Sequence, residues 1–427
     1  MKAMILRVWV LSVCCLVAAS GVASGALGQE VDAKSELGQF RSLRSAGMSA
    51  LDANDLTGAA SNLAAASAIL PDSPSILLLR TQVALKQKRK ADAKAILADY
   101  LARGYVLDLG RNGEFNAVWD AALEDQLLAN EGAAGAMQVT ATLPGFSLTD
   151  AMTLAPESGQ LYLSGIRTGK ISALAATELR DVVTFRPGVA AYGLGLRDGK
   201  IWATTAATRQ TESFDAKVSV TSKIVEIDPA NGQIVASFAD TPDRRFGHLL
   251  MGREDLYVID TTHGEVLRLN GYQGKPQVLI PEGYMDSPMG LAESEDGTVL
   301  IVSDFISGLY RIDLTAGSMQ RLAPPAEGST LGFSSIAVYG HDLIAIQNGF
   351  KPNRIVRLRM SDDWSQIVSE ETLLRSDKVL AQPTQGVVSG DQFVFVAKSQ
   401  WDNMDDYGNP IKAETDPAVI GAVQLKP

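Results

Sequence analysis

One phrase recurs six times over the last two thirds of the chain: an apolar run ending in a polar residue, a turn, and a second apolar run. It reads Leu161–Ser164 then Lys170–Leu174, Ile201–Thr204 then Lys223–Ile227, and Leu256–Asp260 then Glu265–Leu269. The remaining copies are Val299–Asp304 then Gly308–Ile312, Leu343–Gln347 then Arg354–Leu358, and Gln392–Val396 then Ile420–Gln424. Successive starts lie 40, 55, 43, 44 and 49 residues apart, about the length of one four-stranded propeller blade. Six copies predict six blades.

Each phrase follows a short strand rich in small residues, suited to crowding around a central axis: Asp150–Leu154, Tyr192–Leu196, Phe246–Met251, Pro288–Ala292, Ser334–Val338 and Gln385–Val388. The longest spacing reflects a polar insertion, Ala206–Ser222, between two strands of the second blade. The sixth phrase runs to Pro427 with no fourth strand after it. Met137–Leu143 is the expected replacement, closing the ring by pairing with the last blade and hiding two sheet edges.

Upstream, the segment 35–131 is helical in pattern, rich in Ala and Leu and poor in β-branched residues. Gly47, Ala59, Leu63, Ala66 and Pro71 fall at the small, apolar and terminating positions of a tetratricopeptide-like unit. A second unit keeps only Ala93 and Leu97, and an ordinary helical hairpin explains the same pattern. Two such repeats are too few to stand alone, so the segment is expected to pack on the propeller or on another protein. The fold class is therefore mainly β: a six-bladed β-propeller over 137–427 with an N-terminal α-helical segment.

Residues 1–28 read as a secretory signal. Lys2 and Arg7 precede the apolar run Val8–Ala19, and Ala26-Leu27-Gly28 makes a small-residue cleavage end. Twelve apolar residues rise only about 18 Å, short of a hydrocarbon core of roughly 30 Å, so no membrane span is expected in the mature chain. Both cysteines, Cys14 and Cys15, leave with the signal, which excludes disulfides and thiolate metal sites afterwards. The net charge of −11 falls to about −13 without Lys2 and Arg7. An acidic chain without Lys/Arg clusters excludes nucleic acid as the expected partner. The expected location is periplasmic or secreted.

Several stretches together resemble the SMP-30/gluconolactonase/LRE-like superfamily, in a branch apart from the lactonases themselves. They are Pro187-Gly188 to Gly195-Leu196, Ser287–Leu291 with Val302–Asp304, Ile346–Arg354, and Pro383–Gly386 with Ala397–Trp401. The resemblance runs from about Leu143 onward and implies a six-bladed propeller. It also implies one divalent cation, calcium or zinc, at the channel mouth, held by a glutamate on the first inner strand and Asn or Asp on later ones. Those positions fall here on Asp150, on Gly247 and His248, and on Met289. Glycine offers no ligand and a thioether suits a hard cation poorly, so the family's full set is absent.

Propeller geometry gathers the starts of inner strands and the ends of their neighbours at one end of the channel. The first set holds Asp150, Tyr192, His248, Ser334 and Gln385, and the second Asp260, Asp304, Gln347, Asn348, Lys398 and Gln400, with Trp401 beside it. Asp260 and Asp304 precede turns, where carboxylates cap backbone N–H groups. Asp150 has no adjacent turn glycine, which points to a site, and His248 reads as either a base or a hydrogen-bonded channel residue. Gln347, Asn348, Gln385, Gln400 and Trp401 are the expected ligand-binding groups, because neutral donors and acceptors suit a polar ligand better than proton transfer. Two functions remain open. The first is a cell-envelope binding module that takes a polar small molecule, or a protein partner through the helical segment. The second is a lactone or ester hydrolase using Asp150 and His248, its cation held by Asp150, His248 and Asp304.

Overall fold

A computed structural model describes residues 36–110, 113–145, 147–175, 178–216, 221–241, 243–405, 408–412 and 415–426. The signal read at 1–28 lies outside them.

Helix formation follows local rules. The helices are α1 Glu36–Asp52, α2 Leu56–Ile69, α3 Pro74–Lys86, α4 Lys90–Ala102 and α5 Ala121–Glu131. Asp55 caps α2 by accepting the Gly58 N–H at 2.9 Å, Asp120 caps α5 through Leu123 N–H at 3.2 Å, and α3 starts on Pro74. Ala59, Leu63 and Ala66 are fully buried between α1 and α2. A Cβ on Gly47 would sit 2.7 Å from the Leu63 side chain, so only glycine lets the two helices meet there. Ala93 and Leu97 are equally buried, and Leu97 joins Tyr100, Tyr105, Phe115 and Leu127 in a second core.

The rest is a six-bladed β-propeller. Blade 1 is β2 Thr149–Ala155, β3 Gln160–Gly165, β4 Lys170–Ala175 and β5 Glu178–Thr184. Blade 2 is β6 Val189–Arg197, β7 Lys200–Ala207, β8 Ser222–Ile227 and β9 Ile234–Thr241, and blade 3 is β10 Phe246–Met251, β11 Leu256–Asp260, β12 Glu265–Leu269 and β13 Gln277–Ile280. Blade 4 is β14 Pro288–Glu293, β15 Val299–Asp304, β16 Gly308–Asp313 and β17 Ser318–Arg321; blade 5 is β18 Phe333–Tyr339, β19 Asp342–Gln347, β20 Arg354–Met360 and β21 Ile367–Arg375. Blade 6 combines β22 Gly386–Ser389, β23 Gln392–Lys398 and β24 Ala418–Gln424 with β1 Gln138–Leu143. Because every sheet is covered on both faces by its neighbours, strands such as β11 and β15 are buried at every residue instead of alternating. Closure comes from β1, which runs antiparallel to β24 from Gln138 opposite Ala422 to Leu143 opposite Ala418. Its Ala141 and Leu143 pack with Met152 and Leu163 of blade 1 and Val396 and Ile420 of blade 6.

The helices dock on the propeller, at the end where the inner strands begin. Asp72, between α2 and α3, is wholly buried and accepts Thr330 N–H at 2.8 Å and the Thr330 hydroxyl at 2.9 Å. Tyr105 bonds the Ser329 hydroxyl at 2.7 Å and packs edge-on against Phe350, with ring centroids 5.1 Å apart. Arg354 reaches from blade 5 to the Arg103 carbonyl at 3.0 Å while pairing with Glu370 at 3.3 Å. Gly104, with φ +80, lies under that guanidinium: a Cβ there would fall 2.1 Å from Arg354 Nη1. Past α5, Ala134 exchanges backbone hydrogen bonds with Arg375 of β21 at 3.1 and 2.9 Å before the chain enters β1.

Candidate functional site

The inner strands do not begin regularly. In blades 1 to 5 the pairing of the first two strands slips at the same place: after Thr149, Ala191, Phe246, Pro288 and Phe333. Such bulges leave a residue unpaired and re-aim its side chain. The residues at the slip are Asp150, Tyr192, His248, Met289 and Ser334, and Gln385 immediately before β22 takes the equivalent place in blade 6. Six blades thus contribute one acid, one phenol, one imidazole, one thioether, one hydroxyl and one amide to a single ring around the channel.

Side chains tie this ring together. Trp401, on a short 3-10 turn in the insertion between β23 and β24, donates its indole N–H to Asp150 Oδ1 at 2.8 Å. Thr384 donates to the Asp150 carbonyl at 2.8 Å, and Gln385 Nε2 to the Tyr192 carbonyl at 3.2 Å. Arg245, just before β10, donates to the Tyr192 hydroxyl at 3.1 Å with its guanidinium 5.0 Å from the ring centroid. Burial pushes the Asp150 carboxyl up to about 6, against the opposing pull of the Trp401 hydrogen bond and the Arg245 charge. Tyr192 is likewise pushed up by burial, with Arg245 opposing. His248 is pushed down to about 4 by burial; Gln385 lies near enough to favour the imidazolium slightly, but no well-formed hydrogen bond joins them. Near neutral pH the mouth therefore holds a titrating carboxyl, an uncharged imidazole and one guanidinium.

The raised Asp150 value is a statement about stability. Since the folded value of about 6 lies above the ordinary 3.8, the folded protein binds that proton more tightly than the unfolded chain. The associated stability is full below about pH 4 and is lost as the pH rises through 6. Replacing Asp150 by Asn, which keeps the acceptor for Trp401 and removes the charge, is expected to raise the unfolding free energy by about 2 kcal/mol at pH 8 and by little at pH 4. Urea denaturation at the two pH values checks this. A loss of stability at both would make the carboxylate a structural cap.

The other residues singled out in the sequence divide differently. Gln400 is buried and committed: its amide oxygen accepts Leu148 N–H at 3.0 Å, and its nitrogen serves Gly145 O, Thr415 Oγ1 and Asp416 O at 2.9, 3.1 and 2.9 Å. Gln347 faces the helical segment's interface, its nitrogen donating to Leu331 O at 2.6 Å and its oxygen accepting from Arg354 Nε. Asn348 gives Nδ2 to Pro383 O at 2.7 Å. Asp304 accepts from the backbone N–H of Asp286, Ser287, Ile306 and Ser307 at 2.8, 2.6, 3.0 and 2.7 Å, plus the Ser307 hydroxyl at 2.7 Å. Both its oxygens are thereby spent on loop geometry, and the structure does not bring Asp150, His248 and Asp304 together as a three-ligand group among the described residues.

The one group of three close carboxylate and imidazole donors among the described residues is Asp260, His263 and Glu265. Arg244 already occupies it, 2.8 Å from Asp260 and 2.5 Å from Glu265, and Asp260 also accepts Thr262 N–H at 2.9 Å. In blade 4 the matching turn has Ser307 where blade 3 has His263, each bonded to its Asp. The group is a turn cap with a guanidinium counter-charge, which a metal would have to displace.

Reasoning from sequence overlooked Arg245 and the Trp401–Asp150 bond. Arg245 precedes its strand by one residue, and two adjacent arginines in an acidic chain were the available signal; the indole contact joins residues 251 apart and left none. A cleft of about 520 Å³ lies at the other end of the propeller, lined by Arg197, Trp202, Phe238 and Tyr272. Its rings contact one another, Trp202 stacking on Phe238 at 5.0 Å and Arg197 over Tyr272 at 3.9 Å, with Asp198 and Glu226 also in the lining.

No family model matches the chain, and no curated protein does. Among solved structures it is similar to aldose sugar dehydrogenase from Streptomyces coelicolor in its PQQ-bound form, at 14% identity over 68% of this chain and 99% of that one, with a TM-score of 0.45. It is also similar to regucalcin, a calcium-binding protein from Agrobacterium tumefaciens, at 14% identity over 67% of this chain and 97% of that one, with a TM-score of 0.46. A luciferin-regenerating enzyme is 11% identical over 65% of this chain and 92% of that one, with a TM-score of 0.43. What those proteins bind carries nothing over to this chain at such distances.

Proposed function

We propose that this is an exported cell-envelope propeller of the SMP-30/gluconolactonase-like kind that binds a polar small molecule at the channel mouth. The observation that carries the reading is the bulged ring: five blades distort their inner strands at one level to present Asp150, Tyr192, His248, Met289 and Ser334, and Asp150 is kept there with its carboxyl at about 6. Strongly perturbed carboxyls cluster at functional sites, which supports this reading. Among the described residues no helix is long and apolar enough to cross a membrane, and the export reading rests on residues 1–28. The helical segment reads as part of the rim, since its buried Asp72 and the Arg103 carbonyl bond to the propeller.

Binding is favoured over metal-dependent ester or lactone hydrolysis because Asp304, the third ligand that hydrolysis would use, is saturated by loop N–H groups. Thermal-shift screening of polar metabolites is the test. A ligand present at 100 times its dissociation constant is expected to stabilise the protein by about 2.7 kcal/mol, with the shift lost in Asp150→Asn. Elemental analysis showing one tightly held divalent ion per chain, with ester turnover that chelation abolishes, would replace this reading with the hydrolase.

A further inference from the structure

Two amide oxygens at the mouth lack a well-formed hydrogen bond among the described residues. Gln385 and Asn348 each give their amide nitrogen to a backbone carbonyl, Tyr192 O at 3.2 Å and Pro383 O at 2.7 Å. A carbonyl can only accept, so these bonds fix both amides with their oxygens turned the other way. Gln385 Oε1 and Asn348 Oδ1 are buried without a well-formed hydrogen bond among the described residues; His248 Nδ1 is likewise unpaired, lies near Gln385, and is donor or acceptor according to its tautomer. The Asp150 carboxylate takes its side-chain hydrogen bond among the described residues from Trp401. Thr384, between Pro383 and Gln385, holds the Asp150 backbone at 2.8 Å, so these acceptors belong to one patch.

Burial outweighs the charge of Arg245 at Asp150 and keeps its carboxyl at about 6; once ionised, that carboxylate offers an ammonium a partner that it shares with the guanidinium. Tyr192 and Trp401 pack on the same small apolar cluster beside the carboxylate, offering ring electrons of the kind that attract cations. The chain as a whole is acidic, which steers cations inward. A hydroxyl group would bring lone pairs of its own to an acceptor-rich patch, whereas an ammonium brings three donors and no acceptor. A calcium ion would ask for six to eight oxygens, far more than this ring supplies.

We propose that the channel mouth binds a small organic cation through a primary ammonium group, seated between the Asp150 carboxylate and the amide oxygens of Gln385 and Asn348. This rests on the reading of the mouth as a binding site and names the ligand's chemistry. The charged and titratable groups facing Asp150 are Arg245 before β10, His248 on β10 and Tyr192 on β6. Arg245 stays charged, Tyr192 is pushed up, and His248 at about 4 is neutral above pH 5, so Asp150 is the group of this set that changes charge between pH 5 and 8. Proton and ammonium compete for one carboxylate. Affinity should therefore fall as the pH drops through about 6, approaching tenfold per unit below it.

Calorimetric titration of the intact protein with 1,4-diaminobutane, its uncharged counterpart 1,4-butanediol, and calcium chloride tests this. The diamine is expected to bind saturably at pH 7.5, at least tenfold more tightly than at pH 5, with the diol and calcium silent and Asp150→Asn abolishing the signal. Asn348→Asp, which adds a second negative charge, should tighten diamine binding and keeps the test alive if Asp150→Asn folds poorly. Equal binding of diol and diamine, pH-independent diamine binding, or no diamine binding would overturn the inference. If, with the diamine silent, a neutral polar ligand binds in an Asp150-dependent manner, the ammonium assignment falls while the binding function stands.

Discussion

A chain that begins at Pro144 is expected to fail to form a cooperative propeller, while one that begins at Gly132 folds. The two differ by twelve residues, and the part that matters is β1. Its loss strips the outer edge of β24 of hydrogen bonds over five register pairs and removes Leu143, which is fully buried. Burying a leucine is worth about 2 kcal/mol, and Ala141 adds to it in the same blade 6 to blade 1 seam. An open strand edge then invites pairing with a second chain. Circular dichroism with size-exclusion chromatography checks the outcome: the shorter chain should be aggregated or unfolded, the longer one monodisperse with a single thermal transition. Two chains of equal thermal stability would show that blade 6 holds without its fourth strand.

That β1 replaces the missing strand was legible because a repeat is a counting problem. Six phrases need four strands each, the last phrase ends short, and the unused β-type run before the first blade is the one left over. The edge it hides is only that of β24, because β1 joins one sheet; the interblade seam is sealed by side chains instead. Ring residues were legible for the same reason. Asp150, Tyr192, His248, Ser334 and Gln385 open inner strands in the sequence, although the bulges at which the first four sit leave no trace there.

The turn residues were harder to read. Gln347, Asn348 and Gln400 all end β-runs at the mouth, and nothing local distinguishes them, yet they go to three different tasks. Gln347 is claimed by Arg354 and the helical interface, Gln400 by the base of the insertion that carries Trp401, and Asn348 alone keeps an unpaired acceptor. Two of the partners that decide Gln400, Leu148 and Gly145, lie 252 and 255 residues away, while Gln347 and Asn348 take partners 7 to 35 residues off, beyond what the turn itself specifies. Local rules placed Asp304 correctly as a cap, since Asp before a tight turn has N–H groups at hand whatever the rest of the chain does.

Arg354→Ala is expected to cost about 3 to 5 kcal/mol, because it leaves buried Glu370 without its counter-charge. Glu370 also accepts Ser329 N–H at 3.1 Å, and burial already pushes its carboxyl up, with Arg354 the main opposing influence. Without Arg354 the carboxyl moves further up and takes a proton, and two further groups, Gln347 Oε1 and the Arg103 carbonyl, lose their donor. Glu370→Gln leaves the buried guanidinium without its carboxylate and is expected to cost less only because that group keeps both neutral acceptors and the amide still accepts from Ser329. The asymmetry separates an ion pair from a set of hydrogen bonds. It should also be local: the same interface carries the Asp72–Thr330 bonds, so Arg354→Ala should raise hydrogen exchange in α4 and at residues 328–331 before it affects blades 1 to 3. Denaturant titration of both variants, with exchange monitored by mass spectrometry, measures this. Equal losses for the two substitutions would mean that shape, and not charge, holds the helical segment to the rim.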